Sequence, residues 1–274
     1  MKFFDRASSR LVYKEIRKKQ GLGMTMVNLG CGSTYHNEWI NIDFVKRKSD
    51  VIAYDLRKSF PIDDNSCEVV YASHLLEHLT RKEAMIFLEN CYRVLKPGGL
   101  IRIVVPDLEV IARLYIHYLD LSERGDIDSL ARHEWMTLEL LDQLTREEKG
   151  GEILKYFKQT NIPAKEFAIS RMGAEVKKLM SVKKYTNSNN LKSDDNAGHF
   201  TSKNYLKFRE SGELHKWMYD KISLSNLMSS IGFQMPNKCT ATESRIKNFT
   251  KYSLDSCVDG IARKPDSLYL EATK

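Results

Sequence analysis

The chain has 274 residues, of which 42% are hydrophobic and 29% are charged, and its formal net charge is +7. This composition excludes a collagen-like, low-complexity or wholly disordered chain, and the length allows a large core without disulfide or metal staples. There is no apolar run of about 18 residues, so the sequence predicts no membrane span. Residues 1–23 lack the apolar segment of a secretory signal, and five scattered cysteines without a CxxC pair are typical of reduced, cytoplasmic thiols.

Five short apolar runs predict buried strands in the first part of the chain, at residues 25–29, 39–43, 51–55, 67–72 and 100–105. Such near-continuous runs of β-forming residues are typical of a parallel sheet that is covered on both faces. Helical or turn segments separate the runs. This alternation of strands and helices predicts a doubly wound, Rossmann-like α/β fold.

A capping box at Thr80 and Glu83 predicts the start of a helix before the fifth strand. Apolar residues continue on one face of this helix as far as Leu95, and the glycines of residues 96–99 are expected to end it.

The rest of the chain predicts further helices and two closing strands. Helices are expected at residues 107–121, 132–144 and 164–180, and another between Ser223, as its cap, and Gly232. The strands are expected at residues 238–246 and 267–272. We therefore expect a helical extension at 1–24, a core formed by 25–121 and 216–274, and an inserted helical cap at 122–215.

A glycine-rich turn follows the first predicted strand. Gly30 and Gly32 allow the backbone to approach a ligand closely at the carboxyl end of the strand. A dinucleotide fingerprint would need a third glycine at position 35, which is Tyr35, and the Gly-Lys-Ser/Thr of a phosphate loop is absent. Asp43 and Asp55 end the next two strands, where they could accept hydrogen bonds from ribose hydroxyls and from an adenine amino group.

Together these features resemble the class I S-adenosylmethionine-dependent methyltransferases of the type 11-like group. The matching stretches are residues 27–32, 41–43, 54–56, 60–70, 74–79 and 93–99. The resemblance implies a seven-stranded sheet whose last strand is antiparallel, with S-adenosylmethionine as the cofactor. The cofactor-binding residues that it implies are Asn28, Gly30, Cys31 and Gly32 for the methionine part, Asp43 for the ribose, Asp55 and Leu56 for the adenine, and Ser73 and His74 near the reactive methyl group.

The sequence departs from this family pattern at the glycine turn. Asn28 stands where the family often has an acid, and Thr34 replaces the third family glycine. Asp43 follows Gly30 by only 13 residues. The first helix of the family is therefore expected to be very short or absent.

The second half of the chain resembles a narrower group of methyltransferases, found with bacterial surface-polysaccharide biosynthesis. The matching stretches are residues 132–143, 215–220 and 267–272. This resemblance implies O-methylation of a sugar hydroxyl in a glycan or glycan precursor. The alternatives are a small-molecule or lipid-like acceptor, an RNA acceptor, and a binding protein without catalysis.

The positive charge bears on the acceptor. Residues 1–61 carry a balance of +6 and residues 175–209 a balance of +5, and part of the second stretch, residues 181–192, predicts a polar loop. Few aromatic residues interleave with these charges, as they would on a surface that stacks nucleic-acid bases. The charge therefore favours a nucleotide- or lipid-linked sugar, or peripheral contact with an anionic membrane at its inner face, over nucleic acid.

A sugar hydroxyl needs a base, and histidine is suited to this task because its ordinary pKa is about 6.5. We expect His133 or His215 to be the base, with Glu134 or Asp220 orienting it, and His78 is a further candidate. No metal is expected. His133 and Glu134 do not continue into a zinc HExxH motif. Asp107 follows Pro106 and is expected to cap a helix.

Overall fold

A mixed sheet of seven strands forms the centre of the fold in the computed structural model, which describes residues 6–20, 24–176 and 208–274. The sheet order is β3-β2-β1-β4-β5-β7-β6. Strands β1 to β5 run parallel, and β7 is antiparallel to both of its neighbours. The strands are β1 (Met26–Leu29), β2 (Ile40–Asp43), β3 (Val51–Ala53), β4 (Cys67–Ser73), β5 (Leu95–Pro106), β6 (Gln234–Cys239) and β7 (Ser267–Thr273). The predicted α/β class and the antiparallel last strand are confirmed.

Seven α-helices accompany the sheet in the described part of the chain. They are α1 (Arg6–Gln20), α2 (Arg81–Val94), α3 (Leu108–Glu123), α4 (Ile127–Thr145), α5 (Gly151–Lys158), α6 (Lys165–Met172) and α7 (Lys221–Ile231). Two 3₁₀ turns lie at Leu76–His78 and Phe249–Tyr252. No helix among the described residues is long and apolar enough to cross a membrane.

The chain divides into two compact units. The first consists of Met1–Pro106, Trp217–Ala262 and Ser267–Lys274, and the second of Asp107–Lys216 and Arg263–Asp266. The predicted boundary between residues 121 and 122 falls inside α3, whereas this division places the whole of α3 in the second unit.

In the first unit, alternate side chains of the strands enter two separate apolar clusters. On one face, Val70 and Ala72 of β4 pack with residues of α2 and α7. On the other face, Val69 and Tyr71 pack with Trp39, whose ring makes edge contacts with several aromatic rings. The period of two along a strand explains this separation, because successive side chains point to opposite faces of the sheet.

The second unit is built on α3 and α4. Trp135 of α4 is fully buried and its ring packs against Tyr156 and Phe157 of α5. Arg171 of α6 pairs with Glu139 of α4. The helices predicted at 107–121 and 132–144 are confirmed as α3 and α4. The helix predicted at 164–180 ends earlier, at Met172, and residues 177–180 and the predicted loop 181–192 lie outside the described residues.

Three sequence predictions about element ends are corrected. The capping box of α2 is present, but α2 ends at Val94, because Leu95 already pairs with Cys67 as the first residue of β5. The cap of α7 is Asp220, whose carboxylate accepts hydrogen bonds from two backbone N–H groups, and Ser223 is the reciprocal partner in the box.

The third correction concerns β6, which spans Gln234–Cys239 and not residues 238–246. The chain leaves the sheet at Thr240 because its next backbone groups bond to the side chains of Arg102 and Glu271. The carbonyl oxygens of Thr240 and Glu243 accept from Arg102, and the N–H of Arg245 donates to Glu271.

Arg102 is a fully buried cation in the middle of β5. Its guanidinium pairs with Asp255 at 2.7 Å and with Glu271 at 2.8 Å, and both carboxylates are 2% exposed. Its charge also lies over the rings of Phe249 and Tyr269. Burial opposes the charge, but Asp255, Cys239 and Glu271 outweigh this effect and raise the pKa of Arg102 above its ordinary value. A buried ion pair of this kind tolerates the loss of one partner poorly, because the other charge is left uncompensated.

We therefore expect Arg102→Met to lower the free energy of unfolding by about 3–5 kcal/mol, since it leaves two buried carboxylates without their cation. Urea unfolding followed by circular dichroism measures the change. Arg17→Met is the control, because Arg17 pairs with Asp63 at the surface, and should change stability far less. Equal effects of the two substitutions would contradict the assigned importance of Arg102.

The same cluster predicts a pH dependence. Burial opposes ionisation of Glu271, but hydrogen bonds from Ser244, from the Arg245 N–H and from Arg102 lower the pKa of Glu271. A carboxyl group whose pKa is lower in the folded state than in the unfolded state stabilises the folded protein fully above the unfolded pKa, which is about 4.3 for Glu. This stabilisation is lost as the pH falls through the folded pKa. The stability difference between the natural chain and Glu271→Gln should thus be constant from about pH 7 to pH 5 and shrink towards pH 3. Urea unfolding at each pH tests this, and a constant difference at all pH values would refute it.

Candidate active site

The glycine turn lies at the carboxyl end of β1, and no helix separates β1 from β2. The described residues 30–39 form turns only, which confirms that the first helix is missing. Asp43, at the end of β2, holds the turn. One carboxylate oxygen accepts the Gly32 N–H at 2.8 Å, and the other accepts the Val45 N–H at 3.0 Å. Each oxygen keeps a lone pair for a further donor.

Asn28 supports the turn from the buried side. Its amide nitrogen donates to the Thr34 carbonyl oxygen and to the Asn41 side-chain oxygen, both at 3.2 Å, and Asn28 is 1% exposed. A carboxylate could not donate either bond and would be a buried charge. This explains physically why an amide stands where the resemblance favours an acid.

The two glycines of the turn have different requirements. Both have positive φ, +73° at Gly30 and +53° at Gly32. A Cβ at Gly30 would lie 3.0 Å from the Leu75 side chain, so glycine there lets the turn pack on the loop after β4. A Cβ at Gly32 would meet nothing within 4 Å, so this side of the turn is open space. Between them, burial raises the pKa of the Cys31 thiol to about 12, and the thiol is neutral.

The third predicted cofactor contact lies after β3. Asp55 is half-buried and forms a two-point ion pair with Arg57, from Nε at 2.9 Å and from the terminal nitrogen at 3.0 Å. Although burial opposes ionisation, the side-chain and backbone bonds from Arg57 lower the pKa of Asp55. Leu56 is buried in the core. An adenine amino group would share the Asp55 carboxylate with Arg57, and the contact stays a prediction.

At the carboxyl end of β4, the structure assembles a polar chain that the sequence only partly indicated. Ser73 ends the strand, and His74 follows with a left-handed φ of +50°. The Nδ1 atom of His74 lies 3.1 Å from Oε1 of Glu77, and its Nε2 atom lies 2.9 Å from Oγ of Ser267. Glu77 is fully buried.

Sequence reasoning missed Glu77 and Ser267 as site residues. The i, i+3 spacing of His74 and Glu77 on a turn was a signal that could have found the first. Ser267 carried no signal, because it lies 193 residues further along the chain.

Two aromatic residues, Trp217 and Tyr219, lie near the polar side chains at the end of β4. The backbone N–H of Trp217 donates to the Glu77 carbonyl oxygen at 3.2 Å, and its side chain is 41% exposed. The Arg81 guanidinium lies 4.9 Å from the Trp217 ring centroid. Tyr219 is buried in the core, and burial, together with the nearby Glu77 charge, raises its pKa to about 12.

The structure does not pair His133 with Glu134. Glu134 is exposed on α4 beside His133, but adjacent helical residues point in different directions. The His133 ring packs against Tyr115, and its Nε2 atom is buried without a hydrogen-bond partner among the described residues. His133 and Glu134 are therefore not paired as expected.

The remaining candidate residues take the following positions in the structure. Asp220 caps α7 through its carboxylate, and its role in orienting a base stays a prediction. His215 is buried in the second unit, and its backbone N–H donates to the Gln143 carbonyl oxygen. His78 is half-buried in the 3₁₀ turn. Asp107 caps α3 as expected.

A cavity of about 620 Å³ lies at the opposite edge of the sheet. It is lined by Met26 and Ile40, the first residues of β1 and β2, together with Lys19, Lys247 and Lys251. The glycine turn and Asp43 follow the other ends of the same strands. This cavity is therefore not the site that the turn forms.

The chain has recognisable similarity to known proteins. Residues 27–103 match the family model described as a methyltransferase domain. The comparison with curated proteins gives no match. Among solved structures, the chain is similar to a SAM-dependent methyltransferase from Archaeoglobus fulgidus, with 12% identity, coverage of 97% of this chain and 95% of that one, and a TM-score of 0.39.

Two further similar structures have the same kind of description. One is a SAM-dependent methyltransferase from Thermotoga maritima described as a possible histamine N-methyltransferase, with 12% identity, coverage of 96% and 92%, and a TM-score of 0.39. The other is a Burkholderia thailandensis 1,6-didemethyltoxoflavin-N1-methyltransferase with bound S-adenosylhomocysteine, with 16% identity, coverage of 38% and 54%, and a TM-score of 0.26.

The matched segment contains the glycine turn, both strand-end aspartates and the end of β4. Together with the seven-stranded sheet, this match supports a methyltransferase that uses S-adenosylmethionine. The chain is an enzyme that transfers methyl groups, and its cofactor is S-adenosylmethionine. The residues present fit this cofactor, because the open side of Gly32 and the half-buried Asp43 carboxylate lie together at the carboxyl edge of the sheet.

We expect Asp43→Ala to weaken S-adenosylhomocysteine binding by about 10- to 100-fold. The substitution removes charge-assisted hydrogen bonds to the ribose and the carboxylate that holds the Gly32 N–H in the turn. Isothermal titration calorimetry measures the dissociation constant. Asp50→Ala is the matched control, because Asp50 is an exposed acid in the segment that follows and should leave affinity unchanged. An unaltered affinity of Asp43→Ala would exclude Asp43 from the site.

Proposed function

We propose that this methyltransferase transfers a methyl group to a hydroxyl of a sugar, in a glycan or a glycan precursor of cell-surface polysaccharide biosynthesis. The exposed ring of Trp217 is the observation that carries this proposal. Trp217 is 41% exposed, so it leaves aromatic surface that an acceptor can contact beside Arg81. The apolar face of a sugar ring packs well on such a surface.

The position of Trp217 supports the same acceptor. Its backbone N–H donates a hydrogen bond to the carbonyl oxygen of Glu77, in the loop that follows β4. The same loop packs on the glycine turn through Leu75. A sugar on Trp217 would therefore lie near the edge of the sheet where the cofactor binds. Arg81, over the same ring, offers several N–H donors to sugar hydroxyls or to the phosphate of a nucleotide- or lipid-linked sugar.

We further propose that such an anionic acceptor reaches the enzyme at an anionic membrane surface. The last turn of α1 carries Arg17, Lys18 and Lys19, and a basic segment of this kind is attracted to anionic lipid headgroups. A small-molecule or lipid-like acceptor is the alternative, and it predicts a product without a sugar. An RNA acceptor would instead require binding that falls steeply with salt.

The test is to incubate the enzyme and labelled S-adenosylmethionine with a pool of glycan precursors, and to identify the labelled product by mass spectrometry. The proposal predicts a methyl ether on a sugar. For that acceptor, Trp217→Ala should raise KM by about 5- to 10-fold, the loss of about 1 kcal/mol of aromatic packing, whereas Trp217→Phe should retain most of the affinity. A labelled product without a sugar, or an unchanged KM in Trp217→Ala, would contradict the proposal.

A further inference from the structure

The chain Glu77–His74–Ser267 has the geometry of a proton-accepting relay at the end of β4. The two ring nitrogens of His74 have different partners, a carboxylate oxygen at Nδ1 and a hydroxyl oxygen at Nε2. A carboxylate only accepts hydrogen bonds, so this ion-pair contact favours the tautomer with the proton on Nδ1, in which Nε2 offers its lone pair. The Ser267 hydroxyl then donates to Nε2.

This arrangement differs from that of an ordinary core histidine. His74 has a left-handed backbone, which a residue with a Cβ adopts at a cost, and its side chain is 12% exposed. Its carboxylate partner, Glu77, is fully buried, so the interaction takes place away from water. Strain and a buried orienting carboxylate are features that functional sites retain when a general base must be held in one orientation.

The relay also lies in the right part of the fold. Leu29, which precedes the glycine turn, pairs in register with Ala72, two residues before His74. Leu75, which follows His74, packs against Gly30 of that turn. The cofactor turn and the relay are therefore neighbours at one edge of the sheet.

We propose that His74 is the base of the reaction, that Ser267 relays the proton to it, and that Glu77 is a positioning residue that holds the tautomer. This inference rests on the proposed transfer to a hydroxyl. As the acceptor oxygen forms its bond to the methyl carbon, the bond from that carbon to the donor sulfur breaks and S-adenosylhomocysteine leaves. The acceptor proton passes to Oγ of Ser267, whose own proton passes to Nε2 of His74, and the imidazolium is stabilised by Glu77.

The tautomer can be tested without an acceptor. In ¹⁵N-labelled enzyme with bound S-adenosylhomocysteine, the side-chain nitrogens of His74 should show a proton on Nδ1 and none on Nε2 at pH 8. Glu77→Gln should change this pattern, because the glutamine amide can donate to Nδ1. A His74 with its proton on Nε2 in the natural enzyme would overturn the inference, whatever the acceptor is.

Kinetics test the relay on the hydroxyl acceptor that the labelling experiment identifies. His74→Gln should lower kcat by about 10²- to 10⁴-fold, the usual contribution of a general base, and should change the affinity for S-adenosylhomocysteine far less. Ser267→Ala should also lower kcat, and Ser267→Thr, which keeps the hydroxyl, should restore it. The matched control is His117→Gln, since His117 is an exposed histidine of α3.

The outcomes separate this inference from the proposed substrate. If the product is an ether of a hydroxyl that is not on a sugar, the proposed substrate is wrong, and the kcat values on that acceptor still test the relay. If His74→Gln keeps kcat within about 3-fold of the natural enzyme, when a general base should contribute far more, the relay is wrong although a sugar is methylated.

Discussion

The burial of one positive charge, on Arg102 of β5, is the constraint on which the carboxyl-terminal part of the first unit depends. A guanidinium without water must be matched by anions and by enough acceptors. Asp255, Glu271 and the carbonyl oxygens of Thr240 and Glu243 supply them. The segment after β6 therefore leaves the sheet and returns across its face.

This constraint reaches the candidate active site through β7. Glu271 and Ser267 belong to the same strand, whose register against β5 places Ser267 opposite Pro106. The residue after β4 lies near the same end of β5, since the backbone N–H of His74 donates to the Val104 carbonyl oxygen. An arrangement that satisfies the buried charge in the sheet thus also determines which side chain lies next to His74.

Two neighbouring segments at the carboxyl ends of the parallel strands have different roles. The glycine turn and the Asp43 carboxylate form an open site that fits the cofactor. The loop after β4 contains His74, and its Glu77 carbonyl oxygen accepts a hydrogen bond from the backbone of Trp217. The sequence indicated the first segment because its signals are local: a strand, two glycines, and an acid at the end of the next strand. It did not reveal the contacts of His74 with Glu77 and Ser267, because its candidates His133 and His215 were chosen from nearby sequence and not from a partner across the fold.

The sequence by itself determined the alternation of strands and helices, the capping box of α2 and the composition of the glycine turn, since apolar period, caps and glycine conformations act over a few residues. It could not decide that Asp220 caps a helix, or that β6 stops at Cys239. Only the tertiary structure placed Ser267 beside His74, 193 residues away. The reason is physical: a side chain's partner depends on strand register and on which buried charges must be compensated, and both are properties of the whole sheet.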